Sequence, residues 1–90
     1  MNLLEIYKHM KSTGHVIDQY EFDKSWLGRQ PGYTAYIKST SKTPSIETMF
    51  KFYLRLMEMG EKEAKYGIGG YQLLDMAEDV FHDMCDRVDA

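Results

Sequence analysis

One short stretch of this 90-residue chain concentrates cationic, amide and hydroxyl side chains. Arg29 and Gln30 begin it, and both side chains can form paired hydrogen bonds with a nucleobase, arginine with guanine and glutamine with adenine. Lys38 and Lys42 accompany the run SerThrSerLysThr at 39–43, whose small donors and cations are typical of a segment that lies against phosphate groups. A solvated polar loop is the alternative for 39–43, and the residues alone leave both interpretations open.

The chain lacks the residue patterns of a catalytic or metal site. No serine, cysteine or threonine nucleophile stands at a recognisable spacing from a matched base. His82 shares a predicted helix face with Asp79, Asp83 and Asp86, a set that can in principle bind a cation. A solvated acidic face explains these residues more simply. We therefore predict that the protein is not an enzyme and that it holds no cofactor and no metal.

The composition indicates one globular domain in a reducing compartment. The hydrophobic content of 43% suits a folded chain, and no apolar run approaches the roughly 18 residues of a membrane span. The N-terminus carries no secretion signal, and Cys85 has no second cysteine with which to form an internal disulfide. We predict a cytoplasmic protein without membrane contact.

Hydrophobic periodicity and capping residues predict the elements that position the polar stretch. A capping box at Asp18 starts the second helix, and Pro31 suits the first position of the third, with Gln30 as its cap. Ser45 is a good N-cap for the fourth helix, which Gly60 would end. The predicted helices lie near residues 2–12, 18–28, 31–39, 45–59 and 71–88.

These elements predict an all-α fold, a compact bundle of about five helices with a helix-turn-helix core and an additional C-terminal amphipathic helix. Residues 1–60 would form the helix-turn-helix domain and 61–70 a glycine-bearing connection. Residues 71–90 would form an acidic helix packed on the same core or at a dimer interface. The helix near 45–59 is apolar around most of its circumference, so it must be covered by several helices or by a second subunit.

A spacing within the chain resembles a known family. LeuGly at 27–28 is followed, after fifteen residues, by ProSerIleGlu at 44–47 and an apolar run. In this respect the chain resembles the lambda-repressor-like (XRE/Cro type) helix-turn-helix DNA-binding family, which tends to carry Leu-Gly, a turn, a recognition helix, a loop and Pro-Ser-aliphatic-Glu at this distance. The resemblance covers about a third of the chain.

The chain also departs from the pattern of that family, mainly before residue 26. The family usually has an aliphatic residue and an alanine where this chain has Asp23 and Lys24, and it usually buries an aliphatic residue where Thr34 stands. We therefore expect the second helix to be rotated or reorganised, and to bury Phe22 and Trp26 instead.

The resemblance implies which side chains would meet DNA. By position, the family's base-reading residues fall at 30–33 and at Tyr36, on the helix 31–39 that would enter the major groove. Pro31 and Gly32 cannot read bases through their side chains, whereas Arg29 next to them can. The implied base-reading candidates are Arg29, Gln30, Tyr33 and Tyr36. The implied phosphate contacts are Gln19, Lys24, Lys38, Ser39, Ser41 and Lys42.

The sequence thus predicts a small sequence-specific regulator, a homodimeric repressor that binds double-stranded DNA. The net charge of −3 divides into +3 over residues 1–56 and −6 over 57–90, which allows a basic half facing DNA and an acidic half facing away. The alternative is a helix-turn-helix scaffold that binds a protein partner instead, such as a phage or mobile-element inhibitor of a host complex. Pro31, Gly32 and the acidic C-terminal segment favour that alternative.

Overall fold

The computed structural model describes residues 2–67 and 69–89, and every regular element among them is a helix. The predicted all-α fold of five helices is confirmed. Met1, Ile68 and Ala90, which belong to the predicted segments 1–60, 61–70 and 71–90, lie outside the described residues. The helices are α1 (Leu3–Ser12), α2 (Gln19–Glu21, continued as a π-helix over Phe22–Trp26), α3 (Tyr33–Thr40), α4 (Ile46–Ala64) and α5 (Gly69–Asp89).

Three helices begin at a side chain that accepts a hydrogen bond from a backbone N–H of the first turn. These caps are Asn2 for α1, Asp18 for α2 and Ser45 for α4, with donor–acceptor distances of 3.2, 2.9 and 3.2 Å. The predicted caps Asp18 and Ser45 are thereby confirmed. Both satisfy donors that would otherwise have no partner within the helix.

The second half of α2 is wound more widely than an α-helix. The N–H of Leu27 donates to the carbonyl of Phe22 at 3.1 Å, five residues back, as in a π-helix. The wider turn buries Phe22, Asp23 and Trp26 together. The expected reorganisation of the second helix, with Phe22 and Trp26 in the core, is confirmed, and the π-helical winding is its physical form.

The start of α3 differs from the prediction. Its first residue is Tyr33, and its N-cap is Gly32, whose φ of 95° lies in the left-handed region that glycine adopts readily. The N–H of Tyr33 donates to the carbonyl of Gln30 at 3.2 Å, which closes a turn over Pro31 and Gly32. The predicted helix start at Pro31 and the predicted cap at Gln30 are therefore wrong, because the chain makes a turn there.

The end of α4 also differs from the prediction. Gly60 is buried inside α4, which continues to Ala64, and Gly70 belongs to the first turn of α5. A Cβ on Gly70 would lie 2.2 Å from the backbone N of Ala64, and one on Gly60 would lie 2.8 Å from Cδ2 of Leu74. The glycines therefore permit a close antiparallel approach of α4 and α5. The prediction that Gly60 ends the helix is wrong.

The core lies where α1, α2, α4 and α5 meet. Phe22 is central, with the rings of Tyr7 and Phe52 each 5.7 Å from it, centroid to centroid. From α5 the core receives an apolar stripe of four residues, Leu73, Ala77, Val80 and Met84. Among the described residues, no helix combines the length and the apolarity needed to span a bilayer.

Candidate nucleic-acid interface

A buried carboxylate fixes the beginning of α3. Asp23, fully buried on α2, accepts hydrogen bonds from the backbone N–H groups of Gly32 at 2.9 Å and Thr34 at 3.1 Å. The hydroxyl of Thr34 also donates to the same carboxylate. Asp23 thus supplies from a distance the cap that Gly32, without a side chain, cannot provide. The carboxylate sets the position of α3 relative to α2.

The four base-reading candidates converge on one shallow, open groove. They come from the turn before α3 and from its exposed face, and the orientation of both depends on the Asp23 contacts. The structure therefore brings together the side chains that the resemblance implied. The groove is lined by Arg29, Gln30, Pro31, Gly32, Tyr33 and Tyr36.

Arg29 positions the groove as well as lining it. Its Nε donates to the hydroxyl of Thr48 at 2.7 Å, and its NH2 donates to the hydroxyl of Ser45 at 3.2 Å. The guanidinium carbon lies 5.5 Å from the ring centroid of Tyr33, within cation–π distance. Two donors of the guanidinium are thus used within the chain, and they tie the turn to the N-terminus of α4.

Tyr36 lines the groove and contacts Lys42, which lies outside it. Tyr36 is about half exposed, and Nζ of Lys42 lies 3.0 Å from its hydroxyl and 5.5 Å from its ring centroid. The hydrogen bond to Tyr36 and the Coulombic interaction with it raise the pKa of Lys42 above its usual value. Lys42 is exposed and carries its positive charge at neutral pH.

The phosphate candidates near the end of α3 occupy different positions. Lys38, Ser41 and Lys42 line a cavity between α3 and the start of α1. Ser41 ends α3 with a left-handed φ of 53°. The hydroxyl of Ser39 donates to the carbonyl of Tyr36 at 3.1 Å, so its proton is already used within the helix. Lys38 and Lys42 are therefore the best placed of this group to meet an anion.

The phosphate candidates on α2 lie apart from the groove. Nζ of Lys24 lies 3.5 Å from the hydroxyl of Tyr20 and 5.6 Å from its ring centroid, one helical turn away. Gln19 is half-buried in the first turn of α2. Neither Gln19 nor Lys24 lines the groove or the cavity beside α1.

The acidic face of α5 bears an ion pair between side chains one turn apart. His82 lies 3.6 Å from the carboxylate of Glu78, one turn earlier, and both side chains are well exposed. Within residues 2–67 and 69–89, no group of three or more His, Cys, Asp or Glu side chains is arranged to hold a metal ion.

Two parts of the site were not recognised in the sequence. In the sequence Asp23 stands out only as a departure from a family pattern, although an acidic residue at a position that should be buried itself indicates a hydrogen-bonded role. Ser45 was recognised as a cap, but its hydroxyl and that of Thr48 also hold Arg29. These contacts join residues 16 and 19 positions apart, so no local spacing indicates them.

Comparison with known proteins places the chain in a family but assigns no activity. Neither the curated proteins nor the solved structures yield a match. A family model described as "Family of unknown function (DUF6626)" matches residues 3–88, which include α1 to α4 and nearly all of α5. This match does not test the resemblance to lambda-repressor-like proteins, which stays a prediction. The chain belongs to the Family of unknown function (DUF6626).

Proposed function

We propose that the protein is a small sequence-specific DNA-binding regulator, a repressor that inserts α3 and the preceding turn into the major groove. The observation that carries this proposal is the convergence of Arg29, Gln30, Tyr33 and Tyr36 on one open groove. Lys38 lies exposed in the last turn of the same helix, and Lys42 lies exposed just after its end. Base-edge donors and phosphate-binding cations thus share one element, which is the arrangement that major-groove readers use.

The turn before α3 suits a close approach to DNA. Gln30 is exposed, and its amide can pair with the N6 and N7 atoms of adenine. A Cβ placed on Gly32 would meet nothing within 4 Å, so open space lies outside this backbone. Pro31 next to it is also exposed, so the backbone of this turn can approach a base pair closely.

The distribution of charge supports the same orientation. Residues 1–56 carry +3 and residues 57–90 carry −6. DNA attracts the basic segment and repels the acidic one, so the field favours an encounter through the side that bears α2 and α3. Contacts with phosphate release counterions, so we expect the affinity to fall as salt is raised.

A protein-interaction module is the second candidate. The observation that favours it is the exposure of large apolar residues on α4 and α5, among them Phe50, Leu54 and Phe81. Such a surface is typical of protein contacts. A module of this kind would bind a partner protein, such as a host complex inhibited by a phage or mobile-element protein, and would not bind DNA.

Selection from a randomised duplex pool tests the proposal. The purified protein is incubated with the pool at low and at moderate salt, and the retained duplexes are sequenced. We expect an enriched, roughly palindromic motif, because a twofold dimer reads two half-sites. If no duplex is retained even at low salt, the DNA proposal fails and the protein-interaction module takes its place. Retention without a motif would refute sequence-specific regulation.

Two pairs of variants assign the contacts. We expect Gln30→Ala to relax specificity at one position by about 1–3 kcal/mol, whereas the exposed Gln72→Ala on α5 leaves binding unchanged. We expect Lys42→Ala to lower the slope of log affinity against log salt by about 2, that is, by about 1 for each subunit of the dimer, whereas the exposed Lys65→Ala does not lower it. Arg29 is unsuitable for this test because its removal also disturbs the turn.

A further inference from the structure

A cavity of about 280 Å³ lies between α3 and the start of α1, and we call it the α1–α3 cavity. It opens to solvent on one side. At the roughly 30 Å³ that one water molecule occupies, its volume of about 280 Å³ has room for about nine non-hydrogen atoms. Its apolar lining residues are Leu3, Leu4 and Ile37, and its polar ones include Lys38, Ser41 and Lys42.

The apolar lining of the α1–α3 cavity is not fully covered by the protein. Leu3 is buried, but Leu4 and Ile37 are only partly buried where they pack against the core. Of the other helices, α1 is the one against which α3 packs most extensively. A ligand in the cavity would therefore contact both helices and would remove apolar surface from water.

The polar lining of the same cavity is cationic. None of the described residues that line it is acidic, and neither Lys38 nor Lys42 belongs to an ion pair within residues 2–67 and 69–89. Nζ of Lys42 is partly engaged, because it lies 3.0 Å from the hydroxyl of Tyr36. Lys38 is exposed and has no comparable side-chain contact among the described residues, so we expect it to be the principal cation for a ligand.

We propose that the α1–α3 cavity binds a small organic anion, a carboxylate or a phosphate monoester attached to a compact apolar body. A purely apolar ligand would take water from the ammonium group of Lys38 without replacing its hydrogen bonds. An inorganic anion would leave the walls formed by Leu4 and Ile37 in water, and so would a phosphate of the DNA backbone. A ligand with both parts satisfies the whole lining.

Such a ligand would regulate DNA binding, and in that respect the inference rests on the proposed function. Lys38 and Lys42 are also the cations best placed to meet phosphates of DNA. An anion held in the α1–α3 cavity neutralises charge that DNA would use and repels the nearest phosphate. Ligand and DNA should therefore weaken each other's binding, by the same factor in both directions.

NMR titration of the isotope-labelled full chain with benzoate and with phenyl phosphate, without DNA and at constant ionic strength, tests the site. We expect the tighter of the two probes to have a dissociation constant on the order of 1 mM, because so few atoms make few contacts. The amide signals of Leu4, Ile37 and Ser41 should move. Benzamide, which keeps the ring without the charge, and acetate and inorganic phosphate, which keep the charge without the ring, should each bind at least about tenfold more weakly.

Two lysine variants assign the charge. We expect Lys38→Ala to raise the dissociation constant of the tighter probe about tenfold, and Lys42→Ala to raise it about threefold, since Lys42 also contacts Tyr36. Lys65→Ala, an exposed change at the end of α4, is the matched control and should leave the constant unchanged. Thermal unfolding of each variant checks that it is folded.

Three results would overturn the site. The first is that neither probe binds saturably below about 20 mM. The second is that acetate or benzamide binds as tightly as benzoate, or that Lys38→Ala leaves the constant of the tighter probe unchanged. The third is that the moving signals are confined to Gly32 and Tyr33, which would place the anion in the groove beside Arg29.

Competition with a labelled duplex carrying the selected motif, followed by fluorescence anisotropy, tests the regulation. At ten times the dissociation constant of the tighter probe, the affinity for the duplex should fall about tenfold for each subunit, relative to chloride at the same ionic strength. Lys38→Ala should remove most of this effect. A probe that binds without weakening DNA binding overturns the regulation. A wild-type chain that binds the probe but no duplex refutes the proposed function and leaves the anion site standing.

Discussion

Replacement of Asp23 by alanine should destabilise the protein far more than replacement of an ordinary helix cap. The change removes the only hydrogen-bond acceptor that the structure shows for the buried N–H of Thr34 and for its hydroxyl, and it also removes the partner of the Gly32 N–H. A buried donor left without a partner costs about 1–3 kcal/mol. Relief of the desolvation of the carboxylate offsets part of this cost. We therefore expect a loss of about 3–4 kcal/mol in the free energy of unfolding, or roughly 20 °C in Tm for a domain of this size.

Urea unfolding followed by far-ultraviolet circular dichroism measures this loss, with Asp18→Ala as the matched control. Asp18 caps α2 by one exposed hydrogen bond at 2.9 Å, so its replacement should cost only about 1 kcal/mol. Asp23→Asn should fall between the two, at about 2 kcal/mol, because its amide NH2 would face donors. Equal losses for Asp23→Ala and Asp18→Ala would refute the reasoning. An Asp23→Asn protein as stable as the wild type would show that the negative charge contributes nothing.

Two further predictions follow from the packing of α5 and from the exposed end of α3. Gly70→Ala should lower the free energy of unfolding by about 2–3 kcal/mol in the same urea assay, because the new Cβ would lie 2.2 Å from the backbone N of Ala64. Gly67→Ala is the control: its Cβ would meet nothing within 4 Å, so the free energy of unfolding should hardly change. Tyr36→Phe should return the pKa of Lys42 to its usual value, measured by NMR titration of the lysine side chain. Because the pKa of Lys42 is raised, Tyr36 stabilises the charged form of this lysine. This stabilisation is present at neutral pH and is lost only as the pH rises through the raised pKa. An unchanged Lys42 titration in Tyr36→Phe would contradict this.

The elements that the sequence predicts well are those whose causes are local. The side chains of Asp18 and Ser45 bond to N–H groups three residues away, so composition and spacing are enough to locate both caps. Gly60 shows the opposite case. A glycine after a helical run usually ends the helix, but here it lies where Leu74 of α5 crosses α4 closely. That outcome depends on which helix packs there, which no window of sequence around Gly60 contains.

The sequence predicts which residues form the candidate site, but not the contacts that hold them in place. Gln30, Tyr33 and Tyr36 lie along a short segment, so their convergence follows once a turn and a helix are placed there. The restraint on Arg29 depends instead on hydroxyl groups at the start of α4, reached only after the chain has folded back. The chemistry of Arg29 suits a nucleobase, but two of its donors are already bonded to hydroxyl groups of the protein.

Asp23 and Thr34, two of the departures from the resembled family's pattern, are hydrogen-bonding partners. Each stands where an aliphatic residue is usual, and each is fully or almost fully buried, with the hydroxyl of Thr34 donating to the carboxylate of Asp23. An aliphatic contact between α2 and α3 would tolerate sliding, because dispersion and burial have little direction. The hydrogen bonds that the carboxylate accepts from Thr34 and Gly32 instead require particular distances and angles. The exchange therefore fixes the turn at Gly32 in a left-handed conformation, and with it the groove that the proposed DNA contact requires.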